Sequence, residues 1–190
     1  MISSDLKIFK DIPTLYTDRL ILRKITKADL ADVYEYASDP LVSRYLLWSP
    51  HTDVGYTRLY LKTIASKYRR GEFFDWGIEY NGKMIGTCGF TSFNLYDNSA
   101  EIGYVLNSSY WYLGIAKEAA KRIIDFGFNV LSLNRIEARF ISSNIHSRRV
   151  AEKIGMTYEG EHKASVYAKG AYVDVGVCAI IVDNFRNKQK

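Results

Sequence analysis

The sequence predicts a mixed α/β fold, α+β in organisation, with one central sheet flanked by helices. Three observations lead there. Apolar residues alternate in several short runs and recur at offsets of three and four in others, so strands and amphipathic helices share the chain. These runs follow the order β-α-α-β-β-β-α-β-α-β-β without internal repeat or low-complexity stretch, an order most economically packed as a sheet covered by helices. Finally, 190 residues, 47% hydrophobic and 25% charged, suit one domain spanning 1–190, with its core at about 15–183 and short extensions at either end.

The elements follow in order. Leu15 to Lys24 alternates as a strand. Thr26 and Asp29 then make a capping-box start for a helix with Leu30, Val33, Tyr34 and Ala37 inward, closed by Asp39-Pro40. A second helix runs from Val54 to Tyr68. Strands at Phe73–Tyr80 and Met84–Ser92 are joined by Asn81-Gly82, the dipeptide of a primed hairpin turn, and a third antiparallel strand enters the segment from Glu101 to Leu106. The next helix carries the stripe Ala116, Ala119, Ala120, Ile123, Ile124, Gly127 and Leu131, opposite Lys117, Glu118, Lys121, Arg122 and Asp125. A strand at Arg135–Ile141 precedes a helix opened by Asn144 and ended by Gly155. Runs at Thr157–Tyr167 and Ala171–Val182, joined by a turn at Lys169-Gly170, complete the sheet.

Between Leu106 and Lys117 a strand gives way to a glycine-bearing turn and then a helix. The first amides of a helix have no intrahelical partner and sit at the positive end of its dipole, so such a turn suits a phosphate. Gly114 and Ala116 lack bulk where backbone must approach that ligand closely. In the second helix of this half, Val150, Ala151 and Ile154 lie three, four and seven residues after Ser147, which places the Ser147 hydroxyl on the apolar face. In isolation such a hydroxyl bonds back to its own helix and Asn144 is an N-cap.

Taken together these residues resemble the GNAT superfamily of acyl-CoA-dependent N-acyltransferases. Its hallmark is a Gln/Arg-x-x-Gly-x-Gly/Ala turn after a bulged strand, followed by an Asn-bearing loop and a second helix. The resemblance is closer to its RimJ/RimL-type branch of ribosomal-protein N-terminal acetyltransferases, through Thr17-Asp-Arg-Leu-Ile-Leu-Arg23, Glu101-Ile-Gly-Tyr104, Tyr110-Trp111, Asn144-x-x-Ser147, Lys153-Ile-Gly-Met156 and Gly170-x-Tyr172-x-Asp174. It implies a GNAT-like, mostly antiparallel sheet with a splayed strand pair, and acetyl-CoA or coenzyme A as co-substrate. The pyrophosphate would lie on the amides of Tyr112, Leu113, Gly114, Ile115, Ala116 and Lys117, with Asn144 and Ser147 nearby and Leu106 pairing the pantetheine arm. Two positions depart from the hallmark: Trp111 replaces Gln/Arg and Tyr112 stands where glycine is common. A tyrosine that many members carry seven residues after the loop Asn is Ala151 here, which leaves Ser147 as the donor to the departing thiolate.

Acetyl transfer to an amine needs a neutral amine, a donor for the developing oxyanion and a proton for the thiolate. A backbone amide near Leu106 is the expected oxyanion donor. Alternation sets Glu101 on the face of Gly103 and Val105, as the expected general base and acceptor contact, ahead of Glu159, Glu161 and His162. In this branch the segment from Tyr45 to His51 borders the acceptor, which makes Trp48 a contact. The expected acceptor is a protein N-terminal amine, ribosomal proteins among them. Polyamines or aminoglycosides and a catalytically silent acyl-CoA-binding module are the alternatives.

Composition sets the remaining bounds. The 26 basic and 21 acidic residues give +5, a mild excess compatible with an anionic cofactor, and short clusters such as Lys67, Arg69 and Arg70, or Lys188 and Lys190, read as solvated surface. No aromatic RNA-binding motif accompanies them, so no direct nucleic-acid partner is expected. Cys88 and Cys178 lie in separate strand-like runs, without the spacing of a disulfide scaffold or a metal site, and read as packing residues. No membrane span or signal peptide is evident, and a cytoplasmic monomer or homodimer is expected.

Overall fold

A computed structural model describes residues 6–187, and the two terminal lysines, Lys188 and Lys190, lie outside the described residues. The elements are β1 (Leu15–Tyr16), β2 (Ile21–Arg23), α1 (Leu30–Ala37), α2 (Pro40–Ser43), α3 (Val54–Arg70), β3 (Phe74–Tyr80), β4 (Lys83–Asn94), β5 (Ser99–Leu106), α4 (Ile115–Asn129), β6 (Arg135–Ile141), α5 (Ile145–Lys153), β7 (Thr157–Ala168), β8 (Ala171–Ile181) and α6 (Val182–Asn187). The described strands form one eight-stranded sheet in the order β1-β2-β3-β4-β5-β6-β8-β7. All neighbours are antiparallel except β5 and β6, which run parallel from Ser99↔Arg135 to Glu101↔Glu137 and then pair no further.

Helices cover both faces, and the alternation of each strand decides which residue meets which helix. On one face Tyr68 of α3 donates to the Asp75 carbonyl at 2.6 Å, and Asp32 of α1 accepts from the Met84 amide at 3.0 Å. On the other, the fully buried Trp76 meets Phe126 of α4 edge-on at 5.4 Å, in a cluster with Phe9 and Phe74. Full burial of side chains of this size stabilises by about 1.5–3 kcal/mol each. Ile115, Ala119, Ala120, Ile123 and Ile124 of α4 are likewise buried, and Gly127 is needed because a Cβ there would meet Ile136 at 2.7 Å. Both cysteines are free thiols in this core.

Several expected elements hold closely. Asn81 and Gly82 both have positive φ, as the primed turn requires. Thr26 and Asp29 form a full capping box. Others differ. The run from Leu15 to Lys24 is two short strands, because Thr17 closes a turn through its amide to the Leu20 carbonyl (3.0 Å) and its hydroxyl to the Leu20 amide (2.9 Å), while Leu20 stays buried and preserves the alternation. In α1 the buried residues are Val33, Tyr36 and Ala37, whereas Leu30 and Tyr34 are only half-buried. The 3-10 turn at Lys27–Asp29 winds more tightly than an α-helix and advances the stripe. Asp39-Pro40 both ends α1 and starts α2, with Asp39 as its N-cap. Val182 begins a helix rather than ending β8. Phe9 and Ile12 are buried, so the core extends N-terminal to residue 15. The bulge lies on β4, where Thr91 is the extra residue opposite Ile102 and Glu101, and not on the Glu101 strand.

Asp29 also pins β2 and β3 through Arg23, whose guanidinium lies 2.7 Å from Asp29 and 2.5 Å from Glu79. Burial alone would raise the Asp29 carboxyl pKa, but the hydrogen bonds from Arg23 and Thr26 outweigh it and hold the group below its usual value. Its contribution is therefore full above the usual carboxylate range and lost as pH falls through the lowered value. Asp29→Ala, which breaks the capping box and leaves Arg23 only its Glu79 partner, should lower stability by about 1–3 kcal/mol in urea unfolding.

Candidate active site

The turn after β5 is fixed at both ends before α4 begins. Asn107 gives its amide to Ile85 of β4 (2.8 Å), its side chain donates to Glu35 of α1 (2.8 Å), and Ser108 donates to Asp39 (2.6 Å). At the other end Thr17 and Arg19, in the β1–β2 turn, both bond Glu118 in the first turn of α4. The Thr17 hydroxyl lies 2.5 Å from its carboxylate and the Arg19 Nε 2.7 Å, while Arg19 Nη1 donates to the Leu113 carbonyl at 3.1 Å. Burial pushes the Glu118 carboxyl up, and these bonds outweigh it, so it stays charged well into acid.

Within the turn Tyr112 has φ 65° and Gly114 φ 77°, both left-handed. Tyrosine thus adopts the backbone that glycine takes freely, at about 1–2 kcal/mol of strain. Gly114 is the N-cap of α4 and has no side chain to fill the cap. Glu118 makes the first helical bond, to the Gly114 carbonyl at 3.0 Å, which leaves the amides of Ile115, Ala116 and Lys117 without an intrahelical acceptor. Tyr112, Leu113 and Lys117 are exposed here, whereas the Ile115 side chain is buried and holds the helix to the core. An anion is what such a rim of amides, beside the Arg19 guanidinium, binds.

The parting of β5 from β6 opens a cleft directly below this turn. Because the Asn107 amide faces β4, alternation turns the amides of Leu106 and Tyr104 the other way, toward the strand that has left. The Leu106 carbonyl is taken by the Trp111 indole at 2.9 Å, so its amide is the half of Leu106 that remains for a ligand.

Across the cleft stands α5. Asn144 caps it, its carboxamide oxygen accepting from the Ser147 amide at 3.1 Å. The Ser147 hydroxyl does not bond back to its own helix. It lies 3.1 Å from the Tyr104 hydroxyl, which also contacts the Ser147 carbonyl at 3.0 Å. As Tyr104 donates to the carbonyl, Ser147 donates to Tyr104. Burial raises the Tyr104 hydroxyl pKa far beyond its usual value and keeps it protonated. Tyr104, from β5, thus fixes the Ser147 carbonyl and hydroxyl at the cleft. The sequence signal was Tyr104 beside Gly103 in a strand ending at the cleft, but nothing in the spacing linked it to Ser147.

Glu101 is half-buried on the opposite face, beside a depression of about 470 Å³ that Ser92, Asn94, Ser99, Arg135 and Glu137 also line. It makes no ion pair among the described residues. Desolvation, with the repulsion of Glu137, raises its pKa against the pull of Thr91 and Arg139. Glu159 is bound to Arg135 at 2.5 Å and Glu161 to Lys163, while His162 is exposed. Trp48 is half-buried against His51, whose Nδ1 meets the Thr57 hydroxyl at 2.8 Å and whose pKa burial lowers. Among the described residues no group of three or more His, Cys, Asp or Glu is placed to hold a metal, and no helix is long and apolar enough to cross a membrane.

Comparison with known proteins gives these elements a context. A family profile described as an acetyltransferase (GNAT) domain matches residues 19–157. An uncharacterized N-acetyltransferase p20 of Bacillus licheniformis is 36% identical, over 88% of this chain and 96% of the relative. A GNAT-family acetyltransferase structure from Bacillus anthracis superposes with TM-score 0.80 at 29% identity, covering 89% of this chain and 98% of that one. RimL, a ribosomal L7/L12 alpha-N-protein acetyltransferase solved with coenzyme A, superposes at 0.77 with 22% identity, covering 90% and 99%, and shares the fold.

The two left-handed residues make opposite predictions. Gly114→Ala should lose about 1–2 kcal/mol in chemical unfolding, because a Cβ meets the left-handed penalty with no compensating contact. Tyr112→Gly should be neutral or gain up to about 1 kcal/mol in the same assay.

Proposed function

Because this chain belongs to the GNAT acetyltransferase family and is an acetyl-CoA-dependent N-acetyltransferase, we propose that its acceptor is a protein N-terminal α-amine. The observation that carries this reading is the open sheet face beside Glu101. There the depression at Ser92, Glu101 and Glu137 shares Arg135 and Glu137 with a second one of about 440 Å³ at Arg139, Glu159, His162 and Val177. Two adjoining open depressions suit an extended peptide better than a small amine, which a closed pocket would hold. RimL, with the same fold, is named for acetylating a ribosomal protein's N-terminal amine, and this supports the reading. With no such helix among the described residues, a cytoplasmic setting is compatible with it.

When bound, acetyl-CoA supplies an acyl group activated as a thioester. The residues present fit it: unpaired amides at a glycine turn, a guanidinium beside them, and a cleft whose wall strand offers unpaired donors. In this proposal the amides of Tyr112 to Lys117 hold the pyrophosphate, Asn144 and Ser147 border the arm, and the Leu106 and Tyr104 amides face the acyl oxygen, where charge develops during attack. Trp48 borders the acceptor. Glu101, with its raised pKa, takes the ammonium proton directly or through water, and the nitrogen forms its new bond to carbon as the carbon–sulfur bond breaks. Ser147, held in place by Tyr104, turns its hydroxyl to give a proton to the sulfur, and the proton that the new amide nitrogen sheds replaces it through solvent.

Thiol release from acetyl-CoA, followed with a panel of N-terminal peptides and a panel of small amines, tests the acceptor: turnover of peptides supports the reading, and turnover of small amines alone defeats it. With the accepted amine, Ser147→Ala and Tyr104→Phe should each lower kcat about 10–100-fold with little change in the KM for acetyl-CoA. Glu101→Gln should remove the acid limb of the kcat/KM profile, a limb that lies above the ordinary carboxylate range because only the ionised form accepts a proton.

A further inference from the structure

Beneath α1 and α3, Asp75 is a deep carboxylate with no counter-ion. Strand pairing sets it opposite Gly89, and Gly89 opposite Gly103. A Cβ on Gly89 would lie 2.7 Å from Asp75 Oδ1, so the carboxylate leans across the bare backbone of β4 toward β5. Among the described residues no donor or cation reaches its oxygens; the neighbouring Tyr68 hydroxyl donates instead to the Asp75 carbonyl. Part of the residue still reaches solvent-accessible space.

Its surroundings are aromatic. Tyr36 is only 4% exposed, yet its hydroxyl has no partner among the described residues. The Asp75 charge is felt at Tyr36 of α1 and at Tyr60 and Tyr68 of α3, which burial keeps neutral at physiological pH. Tyr60 packs on His51 at 5.4 Å, and His51 on Tyr56 at 4.8 Å and Trp48 at 5.7 Å, extending the aromatic wall outward.

Neither the Asp75 carboxylate nor the Tyr36 hydroxyl is sealed from solvent, so each keeps a path along which a ligand of matching charge and donors can displace water. An alkylammonium answers this set. Its charge pairs with the carboxylate, its N–H groups meet tyrosine oxygens, and its methylenes lie against aromatic rings. We propose that Asp75, Tyr36 and Tyr60 form the subsite that receives the acceptor's ammonium group. This rests on the reading that the acceptor is an amine, and it adds where that amine is recognised. Strands lie about 4.8 Å apart, so a carboxylate lying over β4 holds the cation within about one strand spacing of β5, the strand that walls the cleft. Asp75 is thus a substrate-binding residue, distinct from the proposed base Glu101.

Calorimetry with 1,4-diaminobutane and with a short peptide bearing a free N-terminus, in wild type, Asp75→Asn and Tyr36→Phe, tests it. The expected result is binding at least about 10-fold weaker in Asp75→Asn and measurably weaker in Tyr36→Phe, with coenzyme A affinity unchanged. Equal ammonium affinity in Asp75→Asn, or no binding by wild type, overturns the subsite. Asp75-dependent binding without acetyl transfer would defeat the acceptor reading and leave the subsite standing, whereas transfer with an unchanged amine KM in Asp75→Asn would remove the subsite alone. Folding supplies a second readout. Burial pushes the Asp75 carboxyl up to about 7, so ionisation burdens the folded state as pH rises above the unfolded value, fully so above about 7. Asp75→Asn should therefore unfold at a higher temperature than wild type at about pH 8, a difference that vanishes near pH 4. A lower midpoint at pH 8 would mean the carboxylate is structural.

Discussion

The architecture depends on a parallel strand pair that lasts three residues. β5 and β6 share hydrogen bonds only from Ser99 to Glu101, and beyond that point each must end its ladder against something other than its neighbour. A parallel pair requires a crossover, and α4 is that crossover. Its N-terminus must therefore lie where β5 ends, which is also where the strands have separated. Free strand donors, free helix donors and an opening in the sheet arise from this one piece of topology.

The opening persists because its margins are held from outside the pair. Glu35 of α1 and Asp39, the N-cap of α2, grip Asn107 and Ser108, the β1–β2 turn grips Glu118 and Leu113, and Trp111 stoppers the last carbonyl of β5. These polar contacts are spaced around a turn that contains a strained tyrosine. A turn with Tyr112 at positive φ needs such support, since strain of that kind persists only where the surroundings over-determine the backbone. On the far side, Arg135 satisfies both Glu137 and Glu159, which leaves Glu101 as the unpaired carboxylate of that surface.

The two sheet faces divide the labour. Residues 102, 104 and 106 of β5 point toward α4 and α5, where Tyr104 meets Ser147. Residues 101, 103 and 105 point toward the opposite face, which α1 and α3 cover in part.

Much of this was written in local sequence. The Asn81-Gly82 turn, the Thr26 capping box, the α4 stripe and the glycine at the helix entrance each follow from interactions within a few residues, whose geometry propensity and periodicity fix. Family resemblance extended that to the cleft and its cofactor. What the chain alone did not disclose were pairings between distant segments: Arg19 with Glu118, Tyr104 with Ser147, Tyr68 with the Asp75 carbonyl, and the bulge at Thr91 rather than on β5. Side-chain period says which face a residue occupies, but not which residue from elsewhere meets it there. That meeting is decided by strand order and register, and these are set by the packing of the whole sheet against its helices.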